Sequence, residues 1–414
     1  MRFIENASQT LNTQFLKLEA IKTVVQNHRA EPRLLDLAER FRQMVNLSIA
    51  IGLERGKTSL TSLCQVSYHR LKVFETPSKY RLCAISRAAG ILKNYRKLSR
   101  KRHIRTPYCF RRGLTICYNL KIRNNELFMP GGFHIPLNNY VLDVLRQPNV
   151  KLRSATLTAS RVCIAFSKEI STIKFKGMLG IDRNLNNVTA IDSFSNIIID
   201  DLSKVTLIKS ESRRTISRFK RNDSRIRREI ASKYGRIQSN RTQWLLHQTS
   251  KKIIEHAKTN HLIVVLENIK HIRRLYHRGN GQGRYYRGRL NSWSFHEIER
   301  QISYKASWDG LSVVHVNPRG TTSKCSICGD HLAFSKESSR MLSCPSCGSL
   351  VDRDVNAAKN LLYKAAGLRF SLKGLASEAV KGNPSKTGNP LSRCQSVKSE
   401  GSVLMDGAWQ NQPG

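Results

Sequence analysis

The chain has 414 residues, enough for two or three domains, and 40% of them are hydrophobic, enough to bury real cores. Its 71 Lys and Arg against 29 Asp and Glu leave a formal net charge of +42. That argues against a free metabolic enzyme and for a polyanionic partner, because each neutralised phosphate releases condensed counterions. No apolar run approaches the roughly eighteen residues of a membrane span, and Met1-Arg2-Phe3-Ile4-Glu5 leads into polar sequence rather than a secretory signal. The expectation is a cytoplasmic protein with no membrane partner.

Residues 1 to about 100 read mainly as helices, with apolar residues at helical spacing over Leu34 to Ile51 and a second piece over Ala84 to Tyr95. From about 107 to 168 the texture turns to short strands: Leu114 to Leu120, Phe133 to Leu137 and Ala155 to Phe166, punctuated by Pro130-Gly131-Gly132 and Pro136. A small, barrel-like β-module is predicted there. Next come short apolar strands over Gly177 to Asp182 and Val188 to Asp192, and a long polar helical stretch over 204–258. A buried-type strand (Leu262 to Leu266), a helix (Trp293 to Trp308), another strand (Leu311 to Val316) and a helix from Val355 to Ala366 follow. Strands alternating with helices predict an α/β sheet. The polar, Ser- and Gly-rich end predicts a disordered tail.

Six of the ten cysteines are scattered, and four are paired by spacing: Cys325-Ser-Ile-Cys328-Gly and Cys344-Pro-Ser-Cys347-Gly, fifteen residues apart. Two such turns offer four thiolates to one tetrahedral zinc ion, with a glycine after each pair to allow the tight turn. A redox pair would need one of the turns and leave the other unexplained. With all four positions taken by protein, the zinc is read as structural.

Three carboxylates stand out by position. Asp182 ends the strand Gly180-Ile-Asp182, Glu267 ends Leu262-Ile-Val-Val-Leu-Glu267, and Asp354 opens a helix in Asp352-Arg-Asp354-Val-Asn356-Ala-Ala. Ligands of α/β folds bind at such strand ends, and three converging acids are tolerable when divalent cations neutralise them. Each also has a plain alternative: Asp354 as a helix N-cap, Glu267 and Asp182 as turn residues.

These segments resemble a known family. Gly180-Ile-Asp182-Arg183-Asn184, Val264-Val265-Leu266-Glu267-Asn268 and Asp352-Arg353-Asp354-Val355-Asn356-Ala357-Ala358-Lys359-Asn360 are similar to the three pieces of the split RuvC nuclease domain of TnpB. TnpB proteins are transposon-encoded RNA-guided nucleases related to type V CRISPR effectors. Leu290-Asn-Ser-Trp293-Ser-Phe295, Tyr304-Lys305-Ala306 and the lead Asn317-Pro318-Arg-Gly-Thr321-Thr322-Ser323-Lys324 into the cysteines carry the likeness further, over about 177–366.

The resemblance implies a multidomain α+β protein. Its parts would be a helical recognition region over 1–106, with its insertion into the β-module left open, and a wedge-like β-barrel over 107–170. An RNase H-like α/β RuvC domain would follow over 171–319 and 351–368, carrying an inserted four-Cys zinc ribbon over 320–350, and the tail would be 369–414. It further implies Asp182, Glu267 and Asp354 as catalytic Mg²⁺ ligands, with Asp352 the competitor for the third role. The implied partners are a guide RNA from the transposon end and double-stranded target DNA with a short adjacent motif, in a prokaryotic cytoplasm. A guide-directed DNA-binding regulator, a guide-independent nuclease or transposition protein, and an RNA-binding protein with a decayed site remain as alternatives.

Three stretches are candidate nucleic-acid surfaces. Residues 211–241 hold eleven Lys or Arg against three acids, with Phe219, Ile226, Ile230, Ile237 and Trp244 spaced as a packing face. Residues 268–290 hold six Arg, four Gly, three Tyr and no acid, and 93–112 hold nine Lys or Arg and no acid. Such mixtures contact phosphates and stack on unpaired bases.

Overall fold

The structure is a computed structural model. It describes residues 18–100, 103–171, 173–219, 223–269, 272, 279, 281–334 and 340–371. The tail expected over 369–414 lies outside the described residues from 372 onward, as does most of 270–280. The chain divides into two compact units, one up to Glu169 and one from Ile170 on.

The first unit opens with strand β1 (Leu18–Asn27), followed by helices α1 (Pro32–Glu54), α2 (Leu60–Ser67) and α3 (Ser78–Ser99). Phe41, Met44, Leu63, Tyr80, Ile85 and Leu92 are fully buried in this helical part. The β-rich part contains β2 (Leu114–Ile116), β3 (Lys121–Arg123), β4 (Glu126–Met129), β5 (Phe133–Pro136), helix α4 (Asn139–Leu145), β6 (Val150–Leu157) and β7 (Arg161–Ile170). It forms a four-stranded sheet, β1-β7-β6-β2, and a three-stranded sheet, β3-β4-β5.

Strand β1 falls in the stretch read as helical from sequence. Its alternation buries Ala20, Val24 and Gln26. A buried glutamine hides the period-two pattern from a count of apolar residues. Gln26 is satisfied by donating to the Pro136 carbonyl at 2.7 Å and accepting from the Asn138 N–H at 3.0 Å. Because β1 sits beside β7, α1–α3 are inserted between strands of one sheet. The single strand read over Ala155 to Phe166 is instead a hairpin, turned where the Thr158 N–H meets the Arg161 carbonyl at 2.8 Å.

The second unit begins with the antiparallel strands β8 (Gly177–Arg183), β9 (Asn187–Asp192) and β10 (Ile197–Asp201). Helices α5 (Ser203–Ser217) and α6 (Ser224–Thr259) cross over to β11 (Leu262–Glu267), which runs parallel to β8. Helices α7 (Arg284–Leu290) and α8 (Phe295–Trp308) lead to β12 (Val313–Val316), parallel to β11. The sheet order is β10-β9-β8-β11-β12. A small antiparallel sheet, β13 (Ala333–Phe334), β14 (Met341–Ser343) and β15 (Leu350–Asp352), precedes α9 (Arg353–Ser371).

Period two decides what each face of the large sheet covers. Leu179, Ile181, Val264 and Leu266 pack with Leu246, Ile253 and Ile254 of α6 and Ile298 and Ile302 of α8. The intervening Val265 packs with Leu361 and Ala365 of α9, and Ile191 with Ala358 and Leu362. Gly180 lies under α9, where an added methyl would sit 3.0 Å from Leu362 Cγ and closer still to the Ala358 carbonyl oxygen.

The packing face expected over Phe219 to Trp244 is corrected. Trp244 is 62% exposed, and Phe219, Ile226 and Ile237 are exposed too. Burial on α6 begins only at Thr242. The amino-terminal half of the helix therefore lacks sheet beneath it, and spacing alone cannot reveal how far a sheet reaches. Among the described residues no helix is long and apolar enough to cross a membrane.

Candidate active site

Asp182 shares Gly180's side of β8, and Glu267 shares Val265's side of β11, so both acids sit at adjacent strand ends on the face that α9 covers. Asp354 is the second residue of α9. All three are buried. Burial, and then the charges of Glu267 and Asp354, push the Asp182 carboxyl well above its usual range. The three acids picked out separately in the sequence thus form one electrostatic cluster.

Two asparagines, Asn184 in the β8–β9 turn and Asn187 at the start of β9, serve it. Asn184 Nδ2 donates to Asp182 Oδ2 at 2.7 Å, and Asn187 Nδ2 donates to Asp354 Oδ2 at 2.9 Å. Asp352 has a different task. Its Oδ1 accepts from the Asp354 and Val355 N–H groups at 2.9 and 3.1 Å, and its Oδ2 from Arg340 at 2.9 Å. Asp352 is the cap of α9, which leaves the Asp354 side chain facing the cluster.

Sequence reading assigned no role to Arg183. One residue past Asp182, it takes the opposite face and is fully buried. Its Nη2 donates to the Glu267 carbonyl at 2.6 Å, and its Nη1 to the Phe295 carbonyl at 2.9 Å and to Glu299 Oε2 at 2.8 Å. Its backbone N–H meets Glu267 Oε1 at 3.0 Å. His315 closes the chain on Glu299 at 3.0 Å. The His315 hydrogen bond, opposed in part by burial and aided by Arg183, brings the Glu299 carboxyl down to about 2. Arg183 therefore ties the ends of β8 and β11 together beneath the two acids. A charged residue closing a buried strand was the available signal, but its partner lies 116 residues away.

The four paired cysteines converge so that their sulfurs all lie within 4.8 Å of one another. The Cys325–Cys347 and Cys328–Cys344 sulfur separations are 3.8 and 3.4 Å. A tetrahedron with Zn–S bonds of about 2.3 Å has sulfur edges of about 3.8 Å. In each knuckle the glycine N–H bonds back to the first cysteine carbonyl: Gly329 to Cys325 at 3.0 Å and Gly348 to Cys344 at 2.9 Å. Both glycines have positive φ, 87° and 69°, as such turns require. Burial pushes the Cys325 thiol up, but the N–H groups of Cys328 and Ile327 and the Ser349 hydroxyl outweigh it and hold it at about 6. The Asp330 N–H favours the Cys328 thiolate, yet the neighbouring thiols of Cys344, Cys347 and Cys325 drive it up to about 12. One sulfur is primed to ionise and another is prevented by its neighbours, which is a site whose charge balance a soft divalent cation completes. The donor set fits zinc.

The family model described as "Cas12f1-like, TNB domain" matches residues 295–361, from α8 through the cysteines into α9. The TnpB-like protein MJ0751 of Methanocaldococcus jannaschii is 30% identical over 225 residues, spanning 52% of this chain and 79% of that protein. The chain belongs to the TnpB family. The family's kinship with type V effectors is visible in this TnpB-like chain as well. It is 25% identical over 210 residues to the CRISPR-associated endodeoxyribonuclease Cas12f2 of a Micrarchaeota archaeon, covering 46% of this chain and 37% of that one. A solved Cas12f1–sgRNA–target DNA complex contains a chain with the same fold, at a TM-score of 0.58 and 12% identity over 80% of this chain and 82% of that one.

Proposed function

We propose that this chain is an RNA-guided DNA endonuclease that cuts through a single RuvC-like, Mg²⁺-dependent site made of Asp182, Glu267 and Asp354. The observation that carries the reading is the burial of three acids at one sheet end, with Asp182 raised by burial and by the charges of the other two. Such a cluster accumulates negative charge that hard divalent cations neutralise with oxygen ligands. The strand order β10-β9-β8-β11-β12, antiparallel then parallel, supports an RNase H-like nuclease core.

When bound, Mg²⁺ would supply activation of water and stabilisation of the leaving oxygen. The protein groups do the rest. Asn184 and Asn187 orient the Asp182 and Asp354 carboxylates, Arg183 fixes the main chain at Glu267, and α9 seals the cluster from one side. A zinc ribbon on the four cysteines is the structural metal site of the same reading.

The guide would select sequence by base pairing while the protein reads backbone, shape and the short adjacent motif. The net charge of +42 supports nucleic-acid partners. In the first unit Phe110 is 80% exposed beside Tyr108, with ring centroids 4.8 Å apart, an aromatic pair suited to stacking on an RNA base.

The test is Asp182→Ala in the complex purified with its own RNA. DNA cleavage should disappear while RNA co-purification and target binding persist. Retained cleavage would remove the site assignment, and the absence of a discrete co-purifying RNA would favour a guide-independent nuclease.

A further inference from the structure

Between α5 and α7 the second unit holds a cleft of about 930 Å³. Lys204, Leu207 and Arg213 line it from α5, and Arg284, Tyr285 and Arg289 from α7. Among the described residues no acid lines it. Tyr285 is 86% exposed, so its ring is open to solvent at the cleft. Arg284 and Arg289 have no acidic partner among the described residues.

The cleft is held open by hydrogen bonds from two α5 cations, half-buried Lys209 and exposed Arg213, to the opposite wall. Lys209 Nζ donates to the Ser292 carbonyl at 2.8 Å and to Ser294 Oγ at 2.6 Å. Arg213 donates to the Gly288 carbonyl at 2.7 Å and to the Ser292 hydroxyl. These bonds lock α7 and the 288–294 segment onto α5, so both walls have fixed positions.

Both walls also run directly to the acid cluster. On the α5 side, the Leu202 N–H meets the Asn186 carbonyl at 2.6 Å, and Thr206 Oγ1 lies 3.3 Å from Asn186 Oδ1. The next residue, Asn187, holds Asp354. On the α7 side, Ser294 is followed by Phe295, whose carbonyl holds Arg183. Both walls are thus tied, through Asn187 on one side and Arg183 on the other, to groups that hold the acids.

We infer that the α5–α7 cleft is a subsite for the single DNA strand about to be cut, with one unpaired base stacked on Tyr285 and its flanking phosphates on Arg284 and Arg289. This rests on the nuclease reading and adds to it where the strand is gripped. Stacking needs an unpaired base, because a paired base presents no free face to a side chain, and it tolerates any sequence because every base has a π-face. That is the property a nuclease needs when base pairing elsewhere has already chosen the target. Two arginines on α7 give charge without competing acids, and Lys204 across the cleft closes the channel around the backbone.

The experiment uses the full chain with its co-purified RNA, in EDTA, and single-stranded oligodeoxynucleotides carrying one 5-iodouracil. Ultraviolet irradiation joins that base to an aromatic ring stacked on it, and peptide mapping locates the adduct. The expected product is a Tyr285 adduct, kept in Tyr285→Phe, lost in Tyr285→Ala, and reduced about tenfold in Arg284→Gln/Arg289→Gln at moderate salt. Adducts found only elsewhere, or a Tyr285 adduct formed preferentially with 5-iodouridine RNA of the same sequence, would overturn the inference. The two readings fail separately. Cleavage lost in Asp182→Asn with no Tyr285 adduct rejects the cleft and keeps the acid site, whereas a Tyr285 adduct in a chain that Asp182→Asn does not disarm keeps the cleft and rejects the acid site.

Discussion

Gly180→Ala is a one-methyl test of how closely α9 must approach the sheet. The added Cβ would lie 3.0 Å from Leu362 Cγ and nearer still to the Ala358 carbonyl oxygen, a backbone atom that cannot rotate away. Relaxed contact begins at about 3.5 Å, so α9 or β8 must withdraw by roughly half an ångström to one ångström. Overpacking of this kind costs about 1–3 kcal/mol, which at roughly 2–4 °C per kcal/mol for a unit of this size predicts a melting point lower by about 2–12 °C. The loss is a fraction of a typical 5–15 kcal/mol stability, so the protein still folds at about 25 °C. Asp354 rides on the displaced helix, and misplacement by about 1 Å can cost around a hundredfold in rate. Single-turnover cleavage with saturating DNA reads that loss, and calorimetry reads the melting point. Gly235→Ala is the control, since nothing lies within 4 Å of its Cβ position on α6. It should stabilise by about 0.5–1 kcal/mol and leave cleavage unchanged. A Gly180→Ala protein that melts and cuts like the parent would refute the claim that α9 sets the acid geometry.

Three further substitutions probe the cluster and its supports. Asp182→Asn should abolish cleavage yet raise the melting point of the metal-free protein at neutral pH. Because burial and then Glu267 and Asp354 raise this carboxyl in the fold, its ionisation opposes folding above its ordinary range, and a neutral amide removes that opposition. A lower melting point would contradict it. Glu299→Gln tests the opposite sign. A carboxyl lowered from 4.5 to about 2 contributes stability that is full above about pH 4.5 and is lost as pH falls toward 2. The shift is worth about 3 kcal/mol unscreened, and partial exposure reduces that to about 1–2 kcal/mol. The variant should be less stable at pH 7 and converge with the parent only as pH falls to about 2; a gap independent of pH would reject the ion-pair account. Cys344→Ser should lower bound zinc from about one ion per chain toward none, measured by plasma mass spectrometry. Unchanged zinc content would exclude the four-thiolate site.

Much of the second unit was legible because its strands are short, continuous apolar runs that end in a carboxylate. Val264-Val265-Leu266-Glu267 announces both the buried strand and the acid that ends it, which the fold brings into one cluster with Asp182 and Asp354. The cysteine cluster was legible because its ligands are local in sequence. What was not legible depends on long-range geometry. The buried role of Arg183 needs Glu299 and Phe295 from another helix, and a buried arginine looks like any other cation in a basic chain. The division of labour between Asp352 and Asp354 turns on which carboxylate meets the N–H groups of α9, a matter of one or two residues of helix register. Trp244 and Ile237 have the spacing of a packing face, but no sheet lies beneath them. Strand β1 escaped because its inward positions include a glutamine.

The cysteine cluster and the acid cluster are joined by one polar stripe on α9. Asn356, Asn360 and Lys364 recur every four residues and so share a face, distinct from the Leu361 and Ala365 positions that pack on the sheet. Asn356, 1% exposed, donates to the Lys324 carbonyl at 2.8 Å and accepts from the Ser326 N–H at 2.8 Å. Asn360 donates to the Thr321 and Lys324 carbonyls, both at 2.8 Å, and Lys364 to the Asn317 carbonyl at 3.0 Å. These bonds hold the loop that delivers Cys325, so the first cysteine pair hangs from the helix whose second residue is Asp354. Asn356→Ala removes no metal ligand and creates no clash, yet it leaves the buried Ser326 N–H without its acceptor and the Lys324 carbonyl with one donor instead of two, at about 1–3 kcal/mol. If the clamp couples the two sites, that cost falls on both: zinc should pass to a chromogenic chelator several-fold faster than from the parent, and cleavage should fall while all three acids and all four cysteines are intact. Asn356→Asp keeps the acceptor for the Ser326 N–H but loses the donor, so its zinc release should lie between the two. Parent-like chelation kinetics in Asn356→Ala would mean that the ribbon holds its metal independently of α9, and that zinc supports the fold without reaching Asp354.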